Sequence, residues 1–413
     1  MLEVTRLIDS LSASPANGVG SQGLADLPRS AEEACGNPVV TWRVTRYCNL
    51  SCRNCTSDSR DPRRRGAELG TGEGNSLIGE LSALGVSRLI FAGGEPLLRR
   101  DLAEFVACAH ERRIQPELLT NGTLLTLGNA GELRAAGLHS ATILLEGLGR
   151  EMDHHRGVPG SYNAVLEACA NCEAAGLDAG LRVLMTRWNY AEMSEILDFV
   201  ESLRIRKVTF AHVVSGGLGF TLDDDVRHAE KRLALDLIIE RTKDFLRRGV
   251  KIAIATDDNH ADGIFLYLRM MRTDPELARA IFPSILASSA AIQGSGVGIA
   301  GIDSNGDVYP DANWDSHFLG NVRETPFGEI WRNSANPLLQ GLRHRLPLLK
   351  GKCAKCRYQA TCGGNSRVRA EEYFGDPWMA DPACYLTNDE IEKDSADLAQ
   401  AMEDDVLLPE QAA

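Results

Sequence analysis

Thr45-Arg-Tyr-Cys48-Asn-Leu-Ser-Cys52-Arg-Asn-Cys55-Thr-Ser-Asp58-Ser-Arg60 is the stretch around which the chain is organised. Three cysteines fall within eight residues at a C-x3-C-x2-C spacing. The residues around them, Asn, Ser, Asp and Arg, favour turns and exposed backbone. A loop of this kind is suited to holding metal. Three thiolates so close together can fill three corners of a cubane iron–sulfur cluster, and with no fourth cysteine nearby one iron stays open for chemistry. A zinc site short of one ligand and a disulfide framework are the alternatives, although structural zinc sites usually add a second cysteine pair or histidines.

Working outward, Val39-Val-Thr-Trp-Arg-Val44 is β-rich and delivers the chain into this loop. Beyond it, strand and helix signals alternate. Strands are expected at Arg88–Ala92, Pro116–Thr120, Ala141–Leu145, Ala179–Met185 and Lys207–His212, with a further one at Lys251–Thr256, and helices at 76–84, 102–112, 131–136, 162–175 and 192–203. Such alternation demands a parallel sheet of about six strands, open or curled into a partial barrel. Ligands in α/β folds gather at the carboxyl ends of the strands. Polar and glycine signals recur there: Gly93-Gly94-Glu95-Pro96, Asn121-Gly122, Glu146-Gly147 and His212.

The chain has 413 residues, 44% of them hydrophobic, enough for two or three domains. Residues 1–38 read as an irregular arm with a short amphipathic start, 39–250 as the barrel, 251–295 as a helical linker, 296–389 as a second domain and 390–413 as an acidic tail. A net charge of −13 argues against a nucleic-acid surface as the main function, and the densest basic run, Arg63-Arg64-Arg65, reads as a solvated loop. No signal peptide or membrane-spanning run is evident, so the expected location is the cytoplasm, with no membrane partner. Eleven cysteines in a reducing compartment point to metal or redox work more than to disulfides.

A second cysteine group lies near the C-terminus: Cys353-x2-Cys356-x5-Cys362, followed by Cys384. Four thiolates complete a closed site, either [4Fe-4S] or structural zinc. The segment Asp257-Asp-Asn-His260-Ala-Asp-Gly263 is an acidic, His-containing loop, ordinarily a turn but also suited to a polar substrate group.

Cys48-x3-Cys52-x2-Cys55 followed one βα unit later by Gly93-Gly94-Glu95-Pro96 resembles the radical S-adenosylmethionine (SAM) superfamily. That resemblance implies a partial (β/α)6 TIM-like barrel whose Cys48, Cys52 and Cys55 ligate a [4Fe-4S] cluster, with SAM chelating the open iron. It implies that Gly93, Gly94 and Glu95 bind the SAM amino group, that Asn121 approaches the ribose, and that Arg182 reaches the ribose or carboxylate. The activity implied is reductive cleavage to a 5′-deoxyadenosyl radical, with reduced flavodoxin or ferredoxin as electron donor. Two departures stand out: Asn54, where an aromatic residue or His is usual, and Glu146, where Asp is commoner. The C-terminal segment resembles the SPASM/twitch auxiliary-cluster domain, entered through a hairpin at Gly298–Pro310. Full members carry seven cysteines. Here Ser366 and Asp311 stand at cysteine positions, so one auxiliary [4Fe-4S] cluster on Cys353, Cys356, Cys362 and Cys384 is implied.

Cys362-Gly-Gly-Asn-Ser-Arg-Val-Arg-Ala370, Gly375-Asp-Pro-Trp378 and Asp381-Pro-Ala-Cys384 are similar to the radical enzymes of modified-heme synthesis, above all those of heme d1. Supporting segments are Asp225–His228, Asn259–Gly263, Leu319–Arg323 and Pro326–Trp331. The resemblance implies removal of two propionates from 12,18-didecarboxysiroheme. The siblings of the alternative heme pathway remove acetate carboxyls or oxidise propionates to vinyls. A peptide-modifying maturase is less consistent with an arm of 38 residues, and a silent electron-transfer scaffold is less consistent with an intact Cys48–Cys55 loop. A tetrapyrrole carrying several carboxylates needs cationic anchors. The candidates are Arg156, His212, His228, His260, His317, Arg367 and Arg369, with His212 foremost because it ends a strand.

Overall fold

The computed structural model describes residues 1–9, 30–55, 67–203, 205–214, 219–333 and 335–392. Most of the Gly/Ser/Ala/Pro run of the arm, the Arg63–Arg65 cluster and the tail from 393 onward lie outside the described residues.

Eleven strands form one sheet. They are β1 (Leu2–Glu3), β2 (Val39–Thr45), β3 (Arg88–Gly93), β4 (Gln115–Thr120), β5 (Ser140–Leu145), β6 (Asp178–Met185), β7 (Lys207–His212), β8 (Ala253–Asp257), β9 (Ile299–Ile302), β10 (Asp307–Tyr309) and β11 (Gly320–Asn321). The spatial order is β1-β8-β7-β6-β5-β4-β3-β2-β9-β10-β11. Neighbours from β2 through β8 pair in parallel, and β9 also runs parallel to β2. The expected strands are therefore present, the one at Lys251–Thr256 as β8, which carries the parallel run into the segment assigned to the linker. β9 opens the second domain, and its hairpin with β10 continues the barrel sheet instead of starting another.

The start of the chain departs from an irregular arm. Leu2 and Glu3 pair antiparallel with β8, and the helix Val4–Asp9 buries Val4, Leu7 and Ile8. A helix at Gly149–Arg156 was not expected: its charged sequence shows no apolar stripe, and only Met152 and Arg156 are buried.

The strands alternate sides. Val40, Trp42 and Val44 are fully buried against helices, whereas Val39, Thr41 and Arg43 face a central cavity. A fully buried parallel strand is usually apolar on both faces, so this alternation marks an interior that is polar and open. The outer layer is tightly packed. A Cβ on Gly74 of helix Thr71–Leu84 would lie 2.4 Å from Phe105 and 2.7 Å from Trp42, so only glycine lets this helix seat on the Trp42–Phe105 pair, whose ring centroids are 4.9 Å apart. Residues of every strand from β2 to β9 line the one cavity, about 500 Å³ in volume, which means the sheet curls around it. Among the described residues no helix is long and apolar enough to cross a membrane.

Candidate active site

The cysteine loop is held from three sides. Gly94 N donates to Thr45 O and Glu95 N to Tyr47 O, both at 2.7 Å. These approaches explain the glycine pair: a Cβ on Gly93 would lie 2.3 Å from Thr45 O and one on Gly94 2.2 Å from Tyr47 O, while Gly93 also takes φ +145°. On a second side, Asn121 Nδ2 donates to Asn49 Oδ1 at 3.0 Å and points at Cys48 Sγ at 3.8 Å. On the third, the C-terminal carbonyls of helix Gly149–Arg156 accept from the loop, His155 O from Arg53 N at 2.9 Å and Arg156 O from Ser51 N at 3.2 Å. Asn54, the departure in the motif, donates to Gly219 O and to Asp224 Oδ2, tying the loop to the segment after β7.

Cys48, Cys52, Cys55, Gly93, Gly94, Asn121, Arg182, His212 and His260 all line the same cavity. Burial pushes the Cys48 and Cys52 thiols up, Cys52 to about 12 with Glu146 adding to the effect. Among the described residues, no three His, Cys, Asp or Glu side chains close around a single ion. The donor set of three cysteines on one loop facing the cavity is of the kind that fits a cubane with one open corner. Cys48, Cys52 and Cys55 would hold it.

Several expected roles change. Glu95 does not reach the cavity. Its fully buried carboxylate accepts from Leu97 N, Thr120 Oγ1 and Asn121 N at 3.0, 2.7 and 2.9 Å, clamping the ends of β3 and β4. Burial pushes its carboxyl up against these three hydrogen bonds. Arg182 does face the cavity, but both its Nη atoms are taken by Asp257 and Asp258, at 2.8 and 2.6 Å.

Arg156, an expected substrate anchor, has its donors taken by the protein. It is buried and donates to Glu146 Oε2, Asn121 O and Leu144 O, and the Glu146 departure supplies its ion-pair partner. His228 bonds to Pro382 O and His317 to Glu371, away from the cavity. Arg369 pairs with Asp381 and donates to Val213 O, all buried. Arg367 lies among the auxiliary cysteines.

Two expected histidines do face the cavity. His260 Nδ1 contacts Ser288 O at 2.7 Å, and burial, then the chain's N-terminal charge, hold its ring neutral with a pKa lowered to about 3. His212 is 1% exposed, its Nε2 bound to Asp262 and its Nδ1 without a partner.

The structure adds residues that the motifs did not point to. Arg43 on β2 and Lys207 on β7 line the cavity with no ion pair among the described residues. His155 stacks on Phe220, at 6.1 Å and 15°, making an aromatic shelf in the cavity wall that also holds Cys52 and Cys55. Strand alternation alone could have placed Arg43 inward, on the face shared with Val39 and Thr41. The cavity ends at Asn365 and Ser366 of the auxiliary segment. There Asn365 Oδ1 accepts from His260 N at 2.8 Å and its Nδ2 donates to Asn259 Oδ1 at 2.7 Å, fastening the segment to the end of β8.

In that segment Cys362 is buried, and Cys384, Cys353 and Cys356 are the charged neighbours that act on it. Asp381 shapes the turn before Cys384, accepting from Ala383 N and Ser366 N.

The model of the "Radical SAM superfamily" matches residues 42–200, and that of an "Iron-sulfur cluster-binding domain", SPASM, matches residues 295–357. Fe-coproporphyrin III synthase of Methanosarcina barkeri is 38% identical over 86% of this chain and 89% of its own length. Pre-heme d1 synthase of Dinoroseobacter shibae is 36% identical over 85% and 86%. The structure of Streptococcus suis SuiB bound to S-adenosylmethionine superposes with a TM-score of 0.65 at 18% identity, over 85% of this chain and 78% of that one, a likeness of fold. With the cysteine loop, the glycine pair and the auxiliary thiols in place, and with relatives of this identity along most of its length, the chain belongs to the radical SAM superfamily, among the heme-synthesis enzymes that work with S-adenosylmethionine and [4Fe-4S] clusters.

Proposed function

We propose that this chain removes the two propionate side chains of 12,18-didecarboxysiroheme on the route to heme d1, in the cytoplasm and with reduced flavodoxin or ferredoxin as electron donor. The observation that carries this reading is the polar cavity of about 500 Å³ with Cys48, Cys52 and Cys55 in its wall and Arg43, Lys207 and His212 projecting into it. A buried carboxylate must be paired, and Arg43 and Lys207 supply donors with no ion pair among the described residues.

With Cys48, Cys52 and Cys55 holding a cluster, bound S-adenosylmethionine would supply the radical chemistry that takes hydrogen from a substrate side chain. The chain's own work is to place that side chain and exclude water. Arg43 and Lys207 hold carboxylates at separate points of the wall. His155 and Phe220 shield the Cys52 side of the cavity with apolar surface. His212 holds or accepts a proton at Nδ1 while Asp262 keeps its Nε2 side fixed.

A second reading, the removal of acetate side chains on the way to Fe-coproporphyrin III, is favoured by the 38% identity to the Methanosarcina barkeri enzyme. Anaerobic incubation with 12,18-didecarboxysiroheme, SAM and reductant, followed by mass spectrometry, separates them. Loss of two propionate side chains supports the first reading and loss of two whole acetate side chains, leaving the ring methyls, the second. No change in that substrate, with turnover of a peptide, would overturn both.

A further inference from the structure

The auxiliary site contains two buried arginines that the protein does not neutralise. Arg367 opens the helix Arg367–Phe374, directly after Ser366, which caps that helix in place of a further cysteine. It is fully buried, and its Nη1 donates to Pro377 O and Met379 O at 2.7 and 2.8 Å. Its Nε and Nη2 have no partner. Arg345 is 1% exposed, donates from Nε to Leu342 O and from Nη2 to Ser295 O, and leaves Nη1 unpartnered. Neither forms an ion pair among the described residues, and Asp381, the acid whose charge acts on Arg367, is already bound by Arg369.

Three orphaned donors on two buried cations form an unusual set, because guanidinium does not deprotonate in proteins and an unpaired buried charge is strongly destabilising. The missing negative charge has an identifiable source. The groups acting on Arg367 after Asp381 are Cys353 and Cys362, and Cys362 also acts on Arg345. A cubane core of charge 2+ held by four thiolates carries a net charge of 2−, which two guanidinium groups balance. A Cβ on Gly364, in the turn after Cys362, would lie 3.2 Å from Arg367 Nη2, so the glycine leaves the guanidinium room at the cysteine turn.

We propose that Arg345 and Arg367 are the counter-cations of the auxiliary cluster, donating their free N–H groups to its sulfurs and stabilising its one-electron-reduced form. Reduction adds one electron and takes the site from 2− to 3−, so neighbouring positive charge favours the reduced state. The inference rests on the assignment of the auxiliary site to Cys353, Cys356, Cys362 and Cys384, and not on the identity of the substrate.

The test uses the full-length chain with Cys48, Cys52 and Cys55 changed to Ala, so that only the auxiliary cluster remains. Its midpoint is read by titration with dithionite under electron paramagnetic resonance, alongside iron content. Arg367→Gln and Arg345→Gln should each lower the reduced-to-oxidised ratio at fixed potential about tenfold or more, about 59 mV for a one-electron couple. Arg367→Lys, which keeps the charge, should recover most of that loss. If the Gln variant fails to bind iron while the Lys variant binds it, the counter-cation role is supported. Full iron with an unchanged midpoint in both Gln variants overturns it, as does equal loss of iron in the Lys variant. A triple-Ala chain with no iron at all overturns the site assignment and the proposal together, an outcome distinct from a failed substrate assay.

Discussion

His212 Nε2 lies 3.0 Å from Asp262 Oδ2, and both side chains are buried in the wall between the cavity and the auxiliary segment. Asp262 Oδ1 accepts from Tyr385 Oη at 2.7 Å, and Tyr385 follows Cys384 directly in sequence. The carboxylate thus joins a residue facing the cavity to the neighbour of an auxiliary-site cysteine. Burial pushes the Asp262 carboxyl up, but its pairing with His212 and the hydrogen bond from Tyr385 outweigh that and hold it below the usual carboxylate range. An anionic Asp262 makes Nε2 the donor, so Nδ1 is the nitrogen left for substrate.

Asp262→Asn should remove this control of the ring while leaving both clusters in place. Product formation should fall about 10²-fold, the ordinary contribution of a positioned acid–base group. Formation of 5′-deoxyadenosine should persist, because it precedes the step served by His212. Equal loss of both products, or loss of iron, would mean that Asp262 matters only for folding.

Much of this arrangement was legible in the chain. Strand periodicity located β2 through β7 because each is bounded by glycine, proline or polar residues, and cysteine spacing located both thiol groups. The roles of Glu95, Arg156 and Arg369 were not legible. A carboxylate or guanidinium reads the same in sequence whether it faces a ligand or satisfies buried backbone, and the partners that decide it, such as Asn121 N for Glu95 and Val213 O for Arg369, are far away in the chain. The pairing of β9 with β2 is hidden for the same reason: it joins residues about 260 positions apart, and no local pattern encodes it.

Cys52→Ala should abolish 5′-deoxyadenosine formation yet preserve the auxiliary-cluster spectrum. Iron should drop from roughly eight to roughly four atoms per chain, since a cubane holds four. Turnover that survives the change would refute the radical mechanism, and zinc in place of the remaining iron would refute the auxiliary cubane.

His260 makes stability depend on pH in the mildly acidic range. Its folded-state pKa, lowered to about 3 chiefly by burial, lies below the value of about 6.5 for an unfolded histidine. Between these values the unfolded chain binds the extra proton, so this contribution is fully present above about pH 6.5 and is lost progressively as pH falls toward 3. Urea unfolding of the parent and of His260→Asn, compared at pH 7.5 and 5.5, should show a larger drop in the parent. Equal drops would mean that His260 is protonated in the fold.

Glu95→Gln tests the clamp between β3 and β4. The amide keeps one acceptor oxygen and turns an NH2 group toward backbone N–H groups that now reach a carboxylate. A loss of about 1–3 kcal/mol is expected from an unsatisfied buried donor. Because Asn121 and the glycine pair are set by the same clamp, SAM affinity measured by calorimetry should weaken even though the Glu95 side chain does not touch the cavity. An unchanged affinity with lowered stability would separate the clamp from cofactor binding.

Arg43 and Lys207 provide the most direct test of the substrate class. Each faces the cavity without an ion pair among the described residues, an arrangement that stays unfavourable until an anion arrives. Arg43→Met and Lys207→Met keep an unbranched apolar stem and remove the charge, so the empty enzyme should be as stable as the parent or more so. A charge-assisted hydrogen bond to a carboxylate contributes about 1.5–3 kcal/mol, so each variant should raise KM for a carboxylated tetrapyrrole by roughly ten- to a hundredfold. For the tetrapyrrole methyl ester, which carries no charge for either residue to hold, parent and variants should converge. Convergence distinguishes a carboxylate anchor from a residue that merely shapes the wall, whose loss would affect the acid and its ester alike.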